Sequence, residues 1–463
     1  MSSTAVVHST AWWRPAARPI SQVPARRALR AATSKANTVA FRALVAFTAI
    51  LLLSPQTWFP FLGQLRIAFV AAVTAIGAYL IDRLLRPNEV PRFNAEVGIA
   101  VMLVLWAAMT LPVSYWITGS VEVLTSQYMK AVAFFWLVGA LANTERRLRT
   151  IAWTLVLCAI PLAVTGLRNY LSGEVLTTGV PGLTRIYGYM GGSGLAANPN
   201  DLALMLNLII PIAAAMMICT RRLAARAVAA VALLLSIAGV IVTFSRAGFL
   251  TLMATAVMLI AVLIRRRSAG AATFLLAVAL IAPLFVPDAY FQRLSTIADI
   301  QTDQTGSAQG RWEDVVAATG IVLRSPIIGA GIGNDLLALN DYRGRDTFRS
   351  VHNAYLQYAV DLGLPGLLLF AWLHLLCFRA ARHVERLARH DEAFRPLGPL
   401  AAGLQVSLAA FFVAAMFHPI AYQFYFFTIA GLAVALRNMA RAAAVEHAPV
   451  KGPQGAGVPA VVS

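Results

Sequence analysis

The chain has 463 residues, of which 59% are apolar and only 13% charged, and its mean hydropathy is +0.70; a soluble domain averages about a quarter charged residues. That balance excludes a soluble globular protein and points to an integral membrane protein, and apolar runs that do not alternate exclude a porin-like barrel. An excess of 38 Lys+Arg over 20 Asp+Glu would suggest nucleic acid in a soluble protein, but here the distribution of charge speaks for topology and no nucleic-acid partner is expected.

In chain order, residues 1–36 are rich in Arg and Ala, contain Trp12 and Trp13, and read as a basic cytoplasmic tail. The first apolar run, 39–53, lacks the small-residue cleavage pattern of a secretory signal and reads as an uncleaved first span. Further spans are predicted near 64–82, 96–116, 127–142, 149–167, 200–219, 225–243, 246–264 and 271–287, then 354–378, 398–417 and 422–440. The expected fold is an all-α polytopic membrane protein of about twelve transmembrane helices. Nine fall within 37–287 and three within 353–440, with a long polar loop, 288–352, between them and a second cytoplasmic tail over 441–463.

The connections alternate in charge. With the amino terminus inside, the inner segments hold Arg83, Arg86 and Arg92, then Arg146, Arg147 and Arg149, then Arg221, Arg222 and Arg226, then Arg265 to Arg267, then five arginines from Arg379 to Arg395. Short cytoplasmic connections retain Lys and Arg in this way, so both termini are expected inside. On the opposite side or at its membrane edge stand Arg66, Lys130, Arg168, Arg185, Arg246 and the long loop's Arg293, Arg311, Arg324, Arg343, Arg345 and Arg349. Snorkelling to lipid phosphates accounts for Arg66 and Arg168 as well as a ligand does; for the others an anionic ligand is the economical reason.

Within the long loop, apolar residues recur at helical spacing from Gln309 to Leu323, with Arg311, Glu313 and Asp314 in the first turn. This predicts an amphipathic helix on the outer membrane surface or over a cavity. Ser325-Pro326 ends it, and the glycines from Gly329 to Gly333 predict a flexible turn.

His352 closes the loop just where the next span begins, and imidazole titrates near neutrality, so it is the candidate general base. Arg185, Arg246 and Arg311 are candidates for a pyrophosphate, because a guanidinium stays charged and donates two parallel hydrogen bonds to phosphate oxygens. Arg246 sits in a nearly absent connection between two spans and so lies at the membrane boundary. Asn200 or Asp201 begins the span after the Arg185 segment, where a helix cap is the plain role and an anion on exposed amide groups the functional one. His383 and His390 fall in a basic inner connection; His418 precedes Pro419 at an outer span end, where it assists or caps. Cys158, Cys219 and Cys377 lie in apolar runs without metal-ligand spacing and read as small packing residues. No carboxylate pair with His marks a metal site, and the Gly-x-Ser-x-Gly elbow is missing.

Ser245-Arg246-Ala247-Gly248, Gly310-Arg311-Trp312, Pro326 to Gly333, His352-Asn353-Ala354-Tyr355-Leu356 and Gly363-Leu364-Pro365-Gly366 resemble, in order, the signature of the O-antigen ligase and polymerase superfamily. Asn198 to Ala203 resembles an element just upstream, and Asp361 stands where that family more often has Glu. The resemblance covers roughly 230–380. It implies a GT-C-like membrane glycosyltransferase, independent of metal and of any cofactor, whose donor is a glycan on undecaprenyl pyrophosphate. It implies His352 as the base on an acceptor hydroxyl and Arg311 and Arg246 on the pyrophosphate. Asn353 and Asn200 join the expected binding set, and Arg185 is added from topology. A compact chain with a single moderate outer loop favours the ligase. In that reaction O-antigen passes to the lipid A-core oligosaccharide at the periplasmic face of the bacterial inner membrane, with inversion. The alternatives are an O-antigen polymerase or a protein O-oligosaccharyltransferase and, from another class, a transporter of lipid-linked glycans, which would need polar groups deep within spans.

Overall fold

The computed structural model describes residues 35–86, 94–177, 184–186, 188–189, 195–266, 306–345 and 349–447, and positions 270, 273, 276 and 277. Among these, nine helices are long and apolar enough to cross a membrane, and the protein is a multi-pass membrane protein of the all-α class with one short hairpin. In chain order the helices are α1 (Lys35–Leu53), α2 (Ile67–Leu84), α3 (Ala95–Met109), α4 (Ile117–Leu141), α5 (Glu145–Leu171), α6 (Pro199–Cys219), α7 (Leu223–Val242) and α8 (Arg246–Arg265). They continue with α9 (Ser307–Arg324), α10 (Asp335–Arg343), α11 (Ala354–His390), α12 (Gly398–Ala414) and α13 (Phe424–His447). The apolar stretch of α1, Asn37–Leu53, is shorter than the nine, α13 carries Arg437 and Arg441 in its second half, and the span expected at 271–287 lies almost wholly outside the described residues.

Helix α6 forms the centre of the bundle: 83% of its apolar window is buried inside the protein, against 11% for the span Phe61–Leu84. Its sequence, apolar on every side, suits a helix surrounded by other helices rather than by lipid on one face. Close crossings use small residues; a Cβ on Gly403 would stand 2.7 Å from the Pro211 carbonyl oxygen, so α12 touches α6 only because that Cβ is missing.

One end of the bundle is held by buried hydrogen bonds and charge pairs. Arg147 donates to Asn37, whose Nδ2 donates to Asp82 at 2.8 Å. Arg266 reaches the Gly398 carbonyl at 2.5 Å and Glu385 at 3.4 Å, and Arg437 pairs with Glu96. At the other end lie the C-termini of α5, α7 and α12 and the N-termini of α6, α8, α11 and α13.

Two features at this second end are absent from the sequence reading. A hairpin of β1 (Val175–Thr177) and β2 (Thr184–Ile186) sits above the end of α5, with Leu176 opposite Arg185. Helix α11 is broken at Gly363, which has φ 67° and ψ −177°. Tyr355 and Tyr358 both meet Phe370, at ring-centroid distances of 6.1 and 4.2 Å. In a continuous helix Tyr355 and Phe370 would be about 22 Å apart, so residues 354–362 fold across the end of the bundle and 364–390 alone cross it.

The run Gly329 to Gly333, expected to be a flexible turn, is a docked clasp that fills the corner of this break. Ala330 and Gly331 donate backbone N–H groups to the Val360 and Asp361 carbonyls at 2.8 Å each, and Gly333 N–H reaches the Asp361 carboxylate at 2.9 Å. Gly329, Gly331 and Gly333 all have positive φ, which glycine adopts without strain. The clasp thus satisfies carbonyls that the broken helix leaves open.

Candidate functional site

The site assembles where the second end of the bundle meets the loop helices. Asn198 caps α6, accepting from Asp201 N–H at 2.9 Å, which leaves Asn200 in the first turn. Asn200 Oδ1 accepts a hydrogen bond of 2.8 Å from the Ser245 hydroxyl. Ser245 caps α8 in turn, accepting from Gly248 N–H at 3.1 Å, and Arg246 is the first residue of that helix. A left-handed Phe244, φ 52°, reverses the chain between α7 and α8 in almost no residues. The two caps therefore bind the α6 and α8 N-termini together and set Arg246, half-buried, at their junction.

Across from them lies α9. Asp314, 1% exposed, pairs with Arg343 at 2.5 Å and lies 3.8 Å from Arg349; Glu313 pairs with Arg345 at 3.0 Å. Gly310 explains the glycine before Arg311: a Cβ there would run into the Arg349 guanidinium.

His352 stands against this helix with its side chain 31% exposed. Its Nδ1 lies 2.9 Å from the Ser350 carbonyl and 3.8 Å from Asp314 Oδ2. A carbonyl only accepts, so Nδ1 carries the proton and Nε2 keeps its lone pair. Burial holds the imidazole pKa below its ordinary value, and the charges of Arg311 and Arg349 lower it further against the opposing Ser350 carbonyl and Asp314. The ring is thus a neutral base near physiological pH, with Arg311 as a charged neighbour.

The strip around His352 is fixed on both sides. Val351 N–H donates to the buried Asp335 carboxylate at 2.7 Å, and Gln357 donates to the same group at 3.4 Å. Asn353 caps α11, its Oδ1 accepting from Tyr355 and Leu356 N–H at 3.0 and 3.1 Å. Ala354 N–H donates to the Ala415 carbonyl at 2.7 Å, which ties the strip to the end of α12.

That tie brings in His418. It is 2% exposed, donates from Nδ1 to the Ala414 carbonyl at 2.8 Å, and keeps Nε2 buried without a hydrogen-bond partner among the described residues. Burial pushes its pKa down to about 4, with the charges of Arg311 and His352 adding to the effect. The Asn200 backbone acts on it as well, so His418 lies between the α6–α8 junction and the Arg311–His352 pair.

Of the residues singled out from sequence, Arg311 and His352 are neighbours, and Asn200 is linked to the residue before Arg246. Asn353 is engaged as a helix cap. Arg185 occupies β2, with its backbone placed and its side chain outside the described residues, as is the whole of Arg293. The sequence offered Asp314 only as an acid in the first turn of a predicted helix and gave no signal for Asp335, and His418 was left between two roles. No group of three or more His, Cys, Asp and Glu is placed to hold a metal ion among the described residues.

Residues 230–371 match a protein family described as O-antigen ligase, a stretch that holds Arg246, Arg311 and His352 and stops short of His418. No curated protein matches the chain.

Proposed function

We propose, for a chain that belongs to the O-antigen ligase and polymerase superfamily and so to a class of membrane glycosyltransferase-like enzymes acting on lipid-linked glycans, that it is the ligase. The donor is O-antigen on undecaprenyl pyrophosphate and the acceptor is the lipid A-core oligosaccharide. The observation that carries the chemistry is the Nδ1 to Ser350 contact, which leaves His352 Nε2 as an available base beside Arg311.

In the reaction, His352 Nε2 takes the proton of an acceptor hydroxyl as that oxygen attacks the anomeric carbon. The bond from that carbon to the phosphate oxygen breaks, and its electron pair leaves with the pyrophosphate. Arg311 and Arg246 neutralise the departing charge, a preorganised electrostatic role, with Arg185 and Asn200 as further contacts. Direct attack inverts the anomeric carbon. His418, neutral and buried, leaves the neutralisation of that charge to the arginines.

The site end faces the periplasm and both termini face the cytoplasm of a bacterial inner membrane. Supporting this, Arg147, Arg266, Arg389 and Arg437 gather at the opposite end, where short cytoplasmic connections retain basic residues.

The acceptor is tested by offering purified protein the lipid-linked O-antigen with lipid A-core, with a second lipid-linked glycan, or with a Ser/Thr-containing peptide. Product on lipid A-core alone is expected. Product on the second lipid-linked glycan alone would make the enzyme a polymerase, and product on the peptide alone an oligosaccharyltransferase.

A further inference from the structure

Helix α9 buries Gly310, Asp314, Ala317, Ala318 and Ile321. Its opposite face carries Trp312, Val316 and Leu323 at helical spacing, exposed by 63, 54 and 77%. None of these three serves the chemistry above. An outward apolar stripe on a surface helix is unusual for a face that meets water.

The stripe does not end with the helix. Ile327, 63% exposed, and Ile328 continue it. The 2.7 Å bond from Leu364 N–H to the Pro326 carbonyl sets these residues against the top of the spanning half of α11. There Leu364, Leu368, Trp372 and Leu375 form an exposed stripe at helical spacing, the lipid-facing side of a transmembrane helix. The apolar surface therefore runs unbroken from within the membrane up onto α9.

Helix α9 also runs beside the folded-over segment 354–362. Asp314 near its start lies by His352, and Pro326 just past its end lies by Leu364. Charged groups flank the stripe: Glu313 and Arg345 are exposed on one side, and Arg324 stacks over the Tyr342 ring at 4.4 Å. An apolar stripe with a Trp and charges at its margins is the pattern of a helix in the interfacial plane of a bilayer.

We infer that the stripe of Trp312, Val316, Leu323, Ile327 and Ile328 is immersed in the bilayer, with α9 lying in the head-group region of the leaflet at the site's end. The occupant is phospholipid, because the stripe is continuous with the lipid face of α11 and its one hydroxyl, on the exposed Thr319, donates back to the Val315 carbonyl at 2.8 Å, which leaves the Trp312 indole as its outward donor. A consequence rests on the proposed function: Arg311, immediately before Trp312, meets a lipid pyrophosphate at head-group level, so the donor need not leave the membrane.

The test places a nitroxide label singly at Val316, Leu323, Ile327 and Glu313. It uses full-length protein in which Cys158, Cys219 and Cys377 are replaced by Ala, in nanodiscs of phosphatidylethanolamine and phosphatidylglycerol. The inference predicts that oxygen collides with labels at 316, 323 and 327 more often than a water-soluble nickel chelate does, and that the order reverses at 313. Greater nickel access at 316 and 323 would overturn it, since the stripe would face water. Labels immobilised and closed to both agents would also overturn it, since protein would then cover the stripe. The readout needs no transfer activity, so it stands or falls apart from the ligase reading.

Discussion

In the proposed reaction His352 acts as a base only while neutral, and its surroundings determine the pH at which that fails. Burial and the charges of Arg311 and Arg349 lower its pKa, so the acidic limb of activity should lie below about pH 6.5, the ordinary value for imidazole. Arg349→Gln removes a positive charge that opposes protonation. The imidazole pKa then rises, the acidic limb moves to higher pH, and activity on the acid side falls while the plateau changes less. Gly310→Ala should move the limb in the same direction, because the new Cβ takes the place of the Arg349 guanidinium; a pH profile of both variants checks this. Arg311→Gln should cost more, on the order of 10²- to 10³-fold in kcat, as expected for losing one charged donor to the departing group.

The elements that hold these residues were only partly legible in the sequence. The amphipathic stripe from Gln309 to Leu323 predicted a helix and the structure has one, Ser307–Arg324, because that pattern is local. The glycines from Gly329 to Gly333 predicted a flexible turn, yet they form a clasp. A glycine run states which backbone angles are permitted, and only the broken helix opposite, with free carbonyls at Val360 and Asp361, states which are used. A single span was predicted over 354–378, with Gly363-Leu364-Pro365 inside it, and the structure breaks the helix there. At Gly363 the positive φ and the Ile327 carbonyl, which occupies the place of a Cβ, predict that Gly363→Ala destabilises the fold by about 1–3 kcal/mol. A lower melting temperature in detergent is the measurement. Asp335, in the first turn of α10, holds Val351 N–H and so the strip bearing His352. Asp335→Ala leaves that N–H unsatisfied, at a cost of about 1–3 kcal/mol. It should lower kcat more than it raises KM, and Asp335→Asn, which keeps an acceptor oxygen, should restore much of the loss.

Over the whole molecule, the bundle separates its polar groups by end. The Arg147–Asn37 hydrogen bond and the Arg437–Glu96 charge pair tie helices at one end, and Arg311, His352, His418 and Asn200 gather at the other. The break in α11 is filled by the clasp, which fits interfacial catalysis better than alternating access, where half-helices border an open path. If the site end is periplasmic, a cysteine placed at Gly173 should react with an impermeant maleimide in intact cells, and one placed at Arg221 only after lysis; the reverse pattern would invert the topology. Neither the nearness of Arg311 to His352 nor the position of His418 between them and Asn200 was legible in the sequence, since both depend on how the loop helices and α12 meet α6 and α11.

The central claim is that His352 is the base of a glycan transfer that ends in pyrophosphate release. The direct measurement is single-turnover transfer from undecaprenyl-pyrophosphate-linked O-antigen to lipid A-core by reconstituted wild type and His352→Ala, each with its melting temperature. A loss on the order of 10²- to 10⁴-fold in the variant, with melting and donor binding unchanged, is the predicted result. A folded variant that transfers at the wild-type rate would contradict the account, and His352 would then be a structural residue at the mouth of the site.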